Sequence, residues 1–176
     1  MKRRRVLAVV GAASMGALSG CSGVADLLGD DEMGESETRL LTKYESGYGH
    51  FEGGTEELWN GIDAYERDDY AAAESAFSDA EQPFDRAADD FSSIETETIT
   101  EIGSENLAGM IGSASGMASV LVGRADRLSE AAAVLDGQHP GTFSEESYHD
   151  LIQGTCQELR NGELDVPTPE EIESEF

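Results

Sequence analysis

A chain of 176 residues with 37 acidic against 11 basic side chains, and so a net charge of −26, is long enough to bury a core and too poor in clustered Lys and Arg to grip nucleic acid. Hydrophobic residues make up 39% of it, many at helical spacing, which sets it apart from acidic chains that stay disordered.

At the N-terminus, Lys2, Arg3, Arg4 and Arg5 form a positive cluster, and the run from Val6 to Gly20 carries no charge. That is the layout of a secretory signal, and the run is shorter than the ~20 apolar residues a helix needs to cross a bilayer. Residues 1–20 are therefore expected to be a cleaved signal peptide. The sequence Leu18, Ser19, Gly20, Cys21 resembles the lipobox of prokaryotic lipoproteins. The resemblance implies a diacylglyceryl thioether on Cys21, which becomes the mature N-terminus and anchors the protein to the cell membrane, facing outside the cytoplasm. Arg3 and Arg4, with the apolar Val6 and Leu7 beyond them, resemble a twin-arginine export signal. Lys2 and Ala8 depart from its fuller pattern.

Removing residues 1–20 takes away four of the basic residues and none of the acidic ones. The mature balance resembles that of proteins from salt-loving archaea: at ~1 M salt the Debye length is only ~3 Å, so self-repulsion is screened while carboxylates keep the surface hydrated.

Residues 21–36 mix Gly, Ser and acid without periodicity and read as the lipidated cysteine and a flexible linker. A helical domain is expected over residues 37–160. Its first helix, about 37–67, carries a heptad stripe through Leu41, Tyr44, Tyr48, Phe51, Thr55, Leu58, Ile62 and Tyr65, in phase across Gly53 and Gly54 despite a cost of ~1 kcal/mol per glycine. Asp68 and Asp69 break it and cap a second helix with Ala73, Phe77, Ala80, Phe84, Ala87, Phe91 and Ile94 on one face. Thr98 and Glu101 form a capping box that predicts the start of a long third helix, ending at Gly137. From Asn106 to Gly123 this helix has no charge, which predicts a central element covered nearly all round. Too many of those residues are Gly or Ser for a membrane span. Thr142 and Glu145 repeat the box before a fourth helix bearing Tyr148, Ile152, Cys156 and Leu159 on one face, where Cys156 is expected as a buried, inert thiol. Residues 161–176, with their prolines and glutamates, read as a frayed acidic tail.

Gly61, Ala73, Phe77 and Ala80 resemble the small, Ala, aromatic and Ala positions of a tetratricopeptide repeat, with Asp68, Asp69 and Tyr70 where its helices turn. The resemblance covers about residues 55–85 and has no second copy. It implies a helical hairpin and a peptide-binding role. The expected architecture is all-α, either a four-helix antiparallel bundle or tetratricopeptide-like hairpins.

Catalytic chemistry finds little to work with. Only His50, His139 and His149 are available. Glu146 and His149 have the Glu-x-x-His spacing of di-metal carboxylate bundles, but no second copy of that spacing exists, so both side chains are expected to face solvent. No phosphate loop, paired-cysteine metal site or nucleophile elbow is present. The sequence thus predicts no enzyme, no cofactor and no metal site. It predicts a membrane-anchored binding or scaffolding domain with a protein or peptide partner and no nucleic acid. The alternative is an accessory solute- or cation-binding lipoprotein, and behind it a hydrolase or metal enzyme.

Overall fold

The computed structural model describes residues 33–94, 96–138 and 141–176, and among these it is all-α, with six helices and no strand. The signal segment 1–20 with Arg3 and Arg4, the lipobox Leu18, Ser19 and Gly20, Cys21 itself and most of the linker lie outside the described residues, as does His139.

Helices α1 (Glu35–Tyr65) and α2 (Tyr70–Ser92) form a tight antiparallel hairpin. Asp69 caps α2, its side chain accepting from the Ala72 N–H at 3.3 Å. The interface alternates large against small. A methyl group placed on Gly47, Gly54 or Gly61 of α1 would stand 2.7, 2.8 or 2.4 Å from a ring carbon of Phe91, Phe84 or Phe77 of α2. Each ring therefore sits against a backbone that only glycine leaves bare. Conversely, Phe51 of α1 meets the Phe84 ring edge-on with centroids 5.5 Å apart, and Tyr44 lies 4.9 Å from Phe91. The heptad stripe is thus found with its phase slightly turned: Leu40 replaces Leu41 in the core, while Tyr48 and Thr55 sit at its edge. Helix α2 runs through Pro83.

The third helix differs from its expected start. Thr98 and Glu101 fall inside a short helix, α3 (Thr96–Ile102), which ends at Gly103 with φ +80°. Ser104 then caps α4 (Glu105–Leu135), its side chain accepting from the Leu107 N–H. Ser104 has a free run of residues after it, whereas a helix begun at Thr98 would have to pass straight through that left-handed glycine. Similarly, Ser144 and not Thr142 caps α5 (Glu145–Asn161), because Tyr148 draws the chain inward by accepting from the N–H groups of Thr142 and Phe143. Gly137 and Gly162, with φ +76° and +71°, follow α4 and α5.

Helix α2 packs along its length against both α1 and α4, which touch each other only slightly. Leu107, Ala114, Leu121, Ala125 and Leu128 of α4 are buried, as expected. The expectation that α4 is covered all round is not met. Gly109, Gly112, Ser113, Gly116, Ser119 and Gly123 are exposed, Val120 is 56% exposed, and a methyl group added to any of these glycines would meet nothing within 4 Å. The uncharged stretch is half core and half bare small-residue face. An 18-residue window of Asn106–Leu135 reaches a mean hydropathy of 1.2 with 28% of it buried.

Residues 161–176 are not a frayed tail. Leu164, Val166 and Ile172 are buried, and Thr168 with Glu171 makes a capping box that starts α6 (Pro169–Glu173). The buried Tyr44 hydroxyl donates to the Pro167 carbonyl at 2.7 Å. The Glu175 carboxylate accepts from Ser104 Oγ and Asn106 Nδ2 at 3.2 and 2.9 Å, so a negative charge sits at the start of α4, where the helix dipole favours it. This segment bridges α1 and the beginning of α4, and apolar burial outweighs the repulsion among its glutamates.

Candidate functional site

Two open grooves flank α1. The first, about 460 Å³, lies between the outer face of α1 and the returning segment 165–168. Its α1 side is built from side chains three and four apart, Tyr48, Glu52, Thr55, Glu56 and Trp59, so that they line one face of the helix. Phe51 and Val166, both buried, form the floor; Asp165 and Thr168 stand opposite. Tyr48 and Trp59 are half-buried, while Glu52, Glu56 and Asp165 are exposed. No basic side chain is among the lining residues. Burial pushes the Tyr48 hydroxyl above its ordinary pKa, and the neighbouring carboxylates Glu52, Glu170, Asp165 and Glu171 push it further in the same direction. Thr55 Oγ1 is shut off from solvent and has no hydrogen-bond partner.

The second groove, about 670 Å³, lies between the last turn of α1 and α5 and is lined by Ile62, Tyr65, Glu66, Asp150, Cys156 and Arg160 among others. Its charges are partly compensated, since Arg160 pairs with Glu66 at 3.0 Å. Cys156 is free and 6% exposed. Burial raises its thiol above the ordinary value; Arg160 opposes this, and Glu66 and Asp63 add to it. A thiol so held stays protonated at neutral pH and makes a poor nucleophile.

His149 does not face solvent as expected. Its Nδ1 lies 2.5 Å from the Tyr65 hydroxyl, and its ring contacts both Tyr65 and Tyr70, so it ties α5 to the α1–α2 turn. Glu146 points elsewhere and is exposed. His50 Nδ1 lies 3.0 Å from Asp90 Oδ2, which also accepts from Ser46 Oγ. Among the described residues no group of three or more His, Cys, Asp or Glu side chains is placed to hold a metal ion.

Asp165, Val166 and Thr168 were hidden from sequence reasoning because a segment rich in proline and glutamate reads as solvated chain. One signal was available: Thr168, Pro169 and Glu171 form a capping box with proline at the first helical position, which marks an ordered helix start. Comparison with known proteins finds no matching family model, no matching curated protein and no matching solved structure.

Proposed function

We propose that the chain is a membrane-anchored extracytoplasmic lipoprotein whose helical domain binds or scaffolds a protein partner, without catalysis. The lipobox Leu18, Ser19, Gly20 and Cys21 supports the anchor, the Arg3 and Arg4 pair supports twin-arginine export, and the acidic balance supports a salt-rich environment. The observation that carries the binding role is the groove between α1 and residues 165–168, which is long, open and lined by Tyr48, Phe51 and Trp59. Aromatic side chains left half-buried in an open groove suit recognition of another chain, because they offer large contact area at small entropic cost. An enclosed polar pocket would instead suit the solute-binding alternative. The tetratricopeptide-like pattern of Gly61, Ala73, Phe77 and Ala80, at about residues 55–85, supports a peptide-binding role in general, although none of these four residues lines the groove.

Two measurements test it. Mass spectrometry of the native protein is expected to find an acylated Cys21 at the N-terminus, and Cys21→Ser is expected to leave the protein unprocessed or released to the medium. A soluble form with an unmodified Cys21 thiol, or with residues 1–20 intact, would end the anchor proposal. For the groove, a photo-crosslinking residue at position 48 is expected to give a defined protein adduct on native membranes in molar salt, and the same residue at position 130 none. Identical adducts from both positions would show that the groove is not where partners dock.

A further inference from the structure

The groove along α1 pairs its carboxylates with two half-buried aromatic rings, Tyr48 and Trp59, and has no basic side chain in its lining. We propose that its occupant is an extended, basic segment of a partner protein, with an Arg or Lys side chain lying against Tyr48 or Trp59 and held by Glu52, Glu56 and Asp165. The inference rests on the binding role proposed above and names the chemistry of the partner.

The groove's length favours a chain over a small cation. From Tyr48 to Asn60 its α1 wall rises twelve steps along the helix, about 18 Å at 1.5 Å per residue, which is the reach of roughly five residues of extended chain. Its charge chooses the sign. Glu52, Glu56 and Asp165 rim it, Glu170 and Glu171 lie close enough to act on the Tyr48 hydroxyl, and no lining side chain is basic. The second groove, where Arg160 already answers Glu66, offers no such imbalance. Its rings fix the mode: the faces of Trp and Tyr attract guanidinium and ammonium groups, and Arg in particular stacks on them. This contact is short-ranged and apolar in part, so it survives molar salt that screens exposed charge pairs beyond ~3 Å.

Trp59 is the chain's one tryptophan, so its fluorescence reports on this groove alone. The full-length protein would be titrated in molar salt with a capped five-residue peptide alternating Arg and Leu, and with the same peptide carrying citrulline, the neutral isostere of Arg. The Arg peptide is expected to shift Trp59 emission and to bind at least about ten-fold more tightly than the citrulline peptide, a difference of about 1.4 kcal/mol. Tyr48→Ala and the pair Glu52→Gln with Asp165→Asn are expected to weaken the Arg peptide, while Glu130→Gln on the exposed part of α4 leaves it unchanged. Equal binding of the two peptides would overturn the basic specificity and leave the groove as a docking site. Binding weakened as much by Glu130→Gln as by the groove variants would mean diffuse charge attraction and overturn the proposal. No Trp59 response to either peptide would overturn it together with the docking role of this groove.

Discussion

Phe77→Ala is expected to cost about 3–5 kcal/mol of unfolding free energy, a large part of the 5–15 kcal/mol typical of a domain. The ring is fully buried and lies against Gly61, so its removal leaves a cavity in the α1–α2 interface. Gly61→Ala is expected to cost about 1–3 kcal/mol from the other side of the same contact, since the added methyl would stand 2.4 Å from two ring carbons. Combining the two gives the sharper result. With the ring gone the methyl has room, so the double variant should be little worse than Phe77→Ala alone, a coupling comparable to the Gly61→Ala penalty itself. Urea titrations in molar salt measure all three. Strict additivity would mean that ring and glycine do not press on each other.

Leu121→Ala is expected to cost about 2–5 kcal/mol, because Leu121 is fully buried on the face of α4 that meets the core. The opposite face gives the opposite sign. A helix covered all round would resent a larger residue at Gly116, yet a methyl there would meet nothing within 4 Å. Gly116→Ala should therefore stabilise by up to about 1 kcal/mol through helix propensity alone. Glu130→Ala, on the exposed side, should stay within about 0.5 kcal/mol. Thermal melts of the three variants rank them, and a loss at Gly116→Ala would show that a neighbour covers this face in solution.

The helical class, the α1–α2 hairpin and most of the core stripes were legible because apolar periodicity reports burial directly. Three things were not. Glycine carries no hydrophobicity, so Gly54 read only as a cost to α1 and Gly47 gave no signal, although with Gly61 they are close contacts of α1 with the rings of α2. Absence of charge reads as burial, but in α4 the stretch holds two faces of different fate, and only Ile111, Ala114, Ala118 and Leu121 and their like turn inward. Composition hid the third: Leu164, Val166 and Ile172 follow no period, so the segment that walls the aromatic groove looked like solvated chain. Trp59 and Tyr48 were visible as stripe residues, but a groove needs two walls, and the second comes from more than a hundred residues away in sequence.

The glycines that meet rings recur every seven residues along the hairpin, so this seam alone does not fix its register. Slid by one heptad, α2 would still lay two of its three rings on glycines, so this interface excludes slips of three or four residues far more firmly than a slip of seven. Besides the contacts of α2 with α4 and the bonds of Ser46 and His50 to Asp90, what opposes such a slip is the position of the chain reversal, which a heptad slip moves by three or four residues. It would then fall within Ala71, Ala72 and Ala73, or within the last turn of α1, both of which favour helix over turn. The native reversal has its own signals: Asp68 adopts φ +59°, and the N–H groups of Arg67 and Asp69 both close onto the Ala64 carbonyl at 3.0 Å. A few polar residues at the end of a long apolar seam therefore help to hold α1 and α2 in one register where the seam itself repeats every seven residues.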